Sequence, residues 1–207
     1  RWGRIRPLAV LTCYFIARSG SAVEAMPLSF VRHGTLVAAV RRLEASRPTP
    51  ERMLEHNAVL VTASQRATVL PLRFGTAFHS EAAVTQLLAA RAGELAATLD
   101  RLDGKAEMTV RVKLEPDQNA AGCADEIGRV TRPLDSRSEV RTDRFGHSVL
   151  ELAHLVSRDQ VGEYRRLLEE HGLEATGPWP PLHFLPQFLR MPARAERAPR
   201  AAAHRAG

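Results

Sequence analysis

The clearest alternation in the chain sets Met108, Val110, Val112 and Leu114 on one side and Thr109, Arg111 and Lys113 on the other. A period of two predicts a strand with one face against a core and the other in water. Leu28 to Arg32 and Thr35 to Val40 flank His33-Gly34, and a glycine at the second turn position takes positive φ readily, which predicts a β-hairpin. Ala67 to Phe74 has strand character through Val69, Leu70 and Leu72; Pro71, lacking an N–H, belongs at an edge or bulge. Ser148 to Val156 alternates again, and Leu173 to Thr176 is short enough for a returning strand.

A helical period replaces the strand period in three places. Thr49-Pro50-Glu51 supplies an N-cap, a proline at the first helical position and an acid near the positive helix end. The helix it opens runs to about Ala63, with Met53, Leu54, Ala58 and Val61 as its apolar face. Ser80 caps one long helix whose Val84, Leu87, Leu88, Leu95, Leu99 and Leu102 form a stripe; Gly93 within it costs about 1 kcal/mol against alanine, too little to cancel the stripe. Ser157 and Gln160 have capping-box spacing ahead of Val161, Tyr164, Leu167, Leu168 and His171, and Gly172 ends that helix. From Pro116 to His147 the periodicity fades into Gly, Asp, Ser and Arg, which predicts a polar linker or insert. Leu8 to Ala17 is apolar and follows three arginines. It reads as a buried strand or as the apolar region of a signal peptide, and its length with Tyr14, Phe15 and Ile16 favours the strand.

This order of elements predicts an α+β protein with helices packed on one face of antiparallel sheets. It divides into an N-terminal domain over residues 1–104, a second over 105–185 with the polar insert at 116–147, and an Arg-rich tail over 186–207 expected to be disordered. The formal charge of +6 resides in the ends: residues 1–6 and 190–207 hold a net +7, so residues 7–189 carry −1. That body disfavours a polyphosphate partner, and no nucleic acid is expected. No membrane span is expected either, because ten apolar residues are too few to cross a bilayer.

Cys13 and Cys123 are isolated and form no zinc or redox motif. Neither lysine follows a phosphate-loop glycine pattern, and the dinucleotide, zincin and nucleophile-elbow motifs are missing. His147, His154, His171 and His183 cluster in the last third of the sequence without metal-ligand spacing. Two further residues stand out. Arg73 interrupts the apolar run from Leu70 to Phe74. The expectation is a structural guanidinium paired with an acid such as Glu107 or capping loop carbonyls, the other reading being contact with a partner. Trp179, held among prolines and glycine, is expected to close the core, or else to anchor another chain.

Two segments together carry a family signature. One runs from His56-Asn57-Ala58-Val59 through Val69-Leu70-Pro71-Leu72-Arg73-Phe74-Gly75-Thr76, Ser80-Glu81 and Leu99-Asp100-Arg101-Leu102-Asp103-Gly104-Lys105-Ala106-Glu107; the other is Gly177-Pro178-Trp179-Pro180-Pro181 with Phe184 behind it. From about Leu28 to Phe184 the chain resembles the GvpL/GvpF family of gas vesicle proteins. The resemblance implies two α+β domains, the second similar to a ferredoxin-like fold and abbreviated, because Glu115 to His147 does not reproduce the family's long helices. It implies an assembly factor or minor structural component of the gas vesicle, a cytoplasmic organelle, that binds the main shell protein and other gas vesicle proteins. It implies no catalysis, cofactor or metal. Its motif residues His56, Pro71, Arg73, Phe74, Gly75, Gly177, Pro178, Trp179, Pro180 and Pro181 become candidate partner contacts. The alternative is a small-molecule enzyme on an α+β scaffold that uses the C-terminal histidines.

Overall fold

The computed structural model describes residues 9–44 and 48–190. Strand β1 (Ala9–Arg18) lies between β3 (Leu36–Glu44) and β4 (Val69–Pro71), and β2 (Ser29–His33) pairs with β3 through the hairpin at Gly34, whose φ is +55°. The short β5 (Ala77–Phe78) also pairs with β1. The apolar stretch after the N-terminal arginines is thus the central strand of an antiparallel sheet.

This first sheet is covered on both faces. β1 and β3 are apolar at odd and even positions alike, so each face needs a cover. Tyr14, Phe15, Ala17, Val37 and Ala39 meet Leu60 and Ala63 of helix α1 (Pro50–Arg66). Leu11, Cys13, Ile16, Ala38 and Val40 meet Val84 and Leu88 of α2 (Glu81–Ala90) and Leu95, Leu99 and Leu102 of α3 (Ala92–Leu102). The expectation of helices on one face therefore fails for this sheet. The predicted single helix over 81–102 is two helices that meet at Arg91.

The face of α1 also differs from expectation. Leu54 is 70% exposed and Met53 46%, while His56, Leu60, Ala63 and Ser64 are buried. His56 sets this rotation by hydrogen-bonding through Nε2 to the Leu72 carbonyl at 2.8 Å.

The second sheet has the order β7-β8-β6-β9, built from β6 (Lys105–Lys113), β7 (Asp135–Thr142), β8 (Ser148–Ser157) and β9 (Ala175–Trp179). Helices α4 (Ala120–Thr131) and α5 (Val161–Glu169) lie on one face, where Ile127, Tyr164 and Leu168 meet Met108, Val110, Leu150 and Leu152. The stretch 116–147, expected as a polar insert, thus holds a helix and a strand. In chain order the elements from β6 to β9 read strand, helix, strand, strand, helix, strand. Asn119 caps α4 by accepting from the Ala121 and Gly122 N–H groups.

The opposite face of this sheet is closed by the last described segment, which was expected as tail from residue 186 onward. After Trp179 the chain turns through a short 3-10 helix and ends in α6 (Gln187–Arg190). Its Phe184, Leu185 and Leu189 are buried in one cluster with Leu99 and Leu102 of α3 and Ala153 and Leu155 of β8. Residues 191–207 lie outside the described part.

Candidate protein-contact site

The two motif segments, the first ending at Glu107 and the second starting at Gly177, border one groove. Asn57, Leu60 and Val61 of α1, Pro71 at the end of β4, Glu107 of β6, and Trp179, Pro180 and Leu182 line a depression of about 290 Å³. Gly177 fixes one wall. Its φ is +125°, and a Cβ there would sit 2.8 Å from the Glu107 carbonyl oxygen, so only glycine lets β9 approach β6 this closely. Pro178 and Pro180 then stiffen the segment that presents the indole.

Trp179 does not close the core. It is 41% exposed, and its indole N–H donates to Thr176 Oγ1 at 3.3 Å. The aromatic that does enter the core nearby is Phe184. Arg73 departs from expectation too. It is exposed, and among the described residues its guanidinium makes no hydrogen bond or ion pair. The backbone turns at Gly75, φ +90°, and carries Arg73 out of the apolar run.

The partner expected for Arg73, Glu107, belongs to another residue. Glu107 is 3% exposed; its carboxylate accepts from the His183 backbone N–H at 2.9 Å and lies 2.7 Å from His183 Nδ1. That hydrogen bond raises the His183 pKa above the usual imidazole value, outweighing partial burial. The pair ties the C-terminal segment to β6 beside the groove. Arg101 of α3 donates to the Phe184 carbonyl on the next residue.

The remaining N-terminal motif residues form a second cluster. His56 stacks on Tyr14 at 5.1 Å between ring centres and meets Phe74 edge-on at 5.6 Å. The Arg41 guanidinium lies over the same Tyr14 ring, 5.8 Å from its centre, and pairs with Glu55. Burial pushes the His56 pKa down, so the ring stays neutral at physiological pH. This cluster locks α1 to the segment from Pro71 to Gly75, and a cavity of about 230 Å³ opens beside it, lined by Tyr14, Arg52, Glu55, His56 and Phe74.

The four C-terminal histidines do not share a site. His154 is buried beneath α4 and α5, within 2.9 Å of the Tyr164 hydroxyl, whereas His183 is on the other face of the sheet with Glu107. His147 pairs with Asp143 in the β7–β8 turn, and His171 bonds the Leu167 carbonyl at the end of α5. Among the described residues no group of three or more His, Cys, Asp or Glu side chains is placed to hold a metal ion. Sequence reasoning passed over Asn57, Leu60, Val61 and Leu182 as groove residues. Asn57 alone stood inside a motif, and nothing in the sequence linked Leu182 to α1.

Comparison with known proteins places these features. The family model described as "Gas vesicle synthesis protein GvpL/GvpF" matches residues 13–127. Gas vesicle protein F1 of Halobacterium salinarum is 27% identical over 170 residues, which cover 75% of this chain and 79% of that protein. Gas vesicle protein L of a Streptomyces species is 27% identical over 224 residues, covering 76% and 83%. The crystal structure of the gas vesicle protein GvpF from Anabaena superposes with a TM-score of 0.71 at 14% identity, over 85% of this chain and 95% of that one. GvpF from Microcystis aeruginosa gives 0.59 at 15% identity, over 81% and 94%. The model match spans more than half of the chain, and the protein belongs to the GvpL/GvpF family of gas vesicle synthesis proteins.

Proposed function

We propose that this protein acts in gas vesicle formation by binding the main shell protein, as an assembly factor or minor structural component, and that the groove at Trp179 receives it. The observation that carries this reading is the convergence of Leu60, Val61, Pro71, Trp179 and Leu182 on one open, mostly apolar depression. A large aromatic left 41% exposed on a proline-stiffened turn is an anchor ready to be covered at small entropic cost. Arg73, exposed and without an intramolecular partner among the described residues, offers a polar contact on the same motif segment. Such a surface shields apolar subunits until they join the wall, and the site of action is the gas vesicle. We read the chain as two units divided near Gly104, the second ferredoxin-like, with the groove at their junction.

Capture of the co-expressed shell protein tests the groove. Trp179→Ala is expected to lower capture by about tenfold or more while the melting temperature moves by less than ~4 °C, since the indole is partly in water already. Undiminished capture by that variant, or none by the wild type, overturns the proposal.

A further inference from the structure

The two edges of the second sheet differ. β9 is short and carries Pro178, which has no N–H for a neighbour; β7 is an eight-residue edge whose outer side pairs with no strand among the described residues. All of β7 beyond Asp135 is exposed, and Leu134 and Val140 are 56% and 51% exposed.

The phase of the open edge follows from the turn. The Asp143 N–H donates to the His147 carbonyl at 2.9 Å, and β7 pairs with β8 in the register Asp135↔Leu155 to Thr142↔Ser148. Antiparallel bonds recur at every second residue. The odd-numbered residues therefore bond inward to β8, and Ser136, Ser138, Val140 and Thr142 turn their N–H and C=O groups outward.

The side chains add a code to that edge. Asp135, Arg137, Glu139 and Arg141 share one face and alternate in sign, and in the single chain they neutralise each other as Arg137–Asp135 and Arg141–Glu139 pairs. Two antiparallel registers of β7 against its own copy give nearly full overlap, one centred on Ser138 and the other on Glu139. Centring on Glu139 sets Glu139 against Glu139 and Arg137 against Arg141. Centring on Ser138 sets Arg137 against Glu139 and Asp135 against Arg141, twice each by symmetry. On the other face it brings Val140 opposite Ser136.

From this juxtaposition we propose that β7 is a self-recognition edge: two copies of the chain pair antiparallel about Ser138 into one continuous sheet with a two-fold axis. The interface is isologous, and the register is selected by charge. About six backbone hydrogen bonds link Ser136, Ser138 and Val140 of the two copies. A single strand pair buries little area, so the dimer belongs to the weak class, with Kd on the order of 10–100 μM. Both helices of each copy remain on the same side of the joined sheet. The inference is independent of shell-protein binding.

Sedimentation of the full chain over a concentration series tests it. The wild type is expected to show a monomer–dimer equilibrium that weakens as salt rises from about 0.05 to 0.5 M. Ser138→Pro removes an outward N–H and leaves the bonds to β8 intact; it is expected to give a monomer with unchanged circular dichroism. Glu139→Arg sets like charges across the axis and is expected to raise Kd by about tenfold or more. Arg137→Glu combined with Glu139→Arg restores the opposed pairs and is expected to restore the dimer. A wild type that stays monomeric overturns the proposal and leaves the edge to a strand of another protein. A dimer indifferent to Ser138→Pro and Glu139→Arg, or one that the double variant does not recover, overturns it as well.

Discussion

His154 and His183 lie on opposite faces of the same sheet, and each face imposes its own charge state. On the face covered by α4 and α5, His154 is fully buried with the Tyr164 hydroxyl at 2.9 Å and Thr131 Oγ1 at 3.5 Å, and no carboxylate is among its hydrogen-bond partners. Burial lowers its pKa to about 4. On the face covered by the C-terminal segment, His183 has the Glu107 carboxylate beside its ring and keeps its proton to higher pH than a free imidazole. One face is a dry core that excludes charge; the other is an ionic clasp that holds a segment in place. The second sheet thus separates packing from fastening, and the clasp is the side that borders the groove.

The largest expected difference between the two faces is in acid. As pH falls below the ordinary imidazole value of 6.5, the unfolded chain takes up a proton that folded His154 refuses until about pH 4. Stability from this group is complete above pH 6.5 and falls by about 3 kcal/mol on the way to pH 4. His56, also depressed by burial, acts with the same sign. Urea unfolding at pH 7 and pH 4.5 should show a shallower loss for His154→Gln than for the wild type. Equal losses would mean that the folded ring is protonated, and the contrast would collapse.

A smaller effect of opposite sign belongs to the clasp. The raised His183 pKa contributes stability that is complete below pH 6.5 and is lost as pH rises through the folded value. Glu107→Ala removes both bonds to His183 and is expected to cost about 2 kcal/mol near pH 6. The cost should shrink at pH 9, where the neutral imidazole has little to lose. A penalty independent of pH would mean that the bond from the His183 backbone N–H, and not the charged ring, carries the clasp.

The sequence displayed the elements whose signals are local. Thr49 and Ser80 cap α1 and α2 as expected, through the Arg52 and Ala83 N–H groups; the expected hairpin joins β2 and β3, but its turn is Gly34-Thr35, one residue later than expected, because His33 ends β2 and pairs with Leu36. α4 went unseen because its inward positions, Ala120, Cys123, Ala124 and Ile127, are mostly small and have weak hydropathy despite helical spacing. β7 went unseen because an edge strand in water has no apolar face to alternate. The site was legible as motifs but not as a place. Which acid met which base depended on bringing Pro181–Phe184 against β6, and no local rule assigns Glu107 to His183 in preference to Arg73.

Tyr164→Phe provides the smallest and most selective test of the dry face. The substitution preserves the ring that packs beneath α4 and α5 and deletes only the hydroxyl beside His154 Nδ1. His154 Nε2 already has no hydrogen-bond partner among the described residues, so the variant leaves both ring nitrogens without a close one. Thr131 Oγ1 stands 3.5 Å away and donates to the Ile127 carbonyl, which limits what it can replace. Leaving a neutral buried nitrogen unsatisfied costs about 1 kcal/mol, well below the acid effect because no charge is created. The loss should be nearly the same at pH 7 and pH 9, where His154 is neutral in both folded and unfolded chains, and urea unfolding at these two values measures it. A loss near zero would mean that water reaches the ring from the α4–α5 side, and that this face is less dry than the depressed His154 pKa requires.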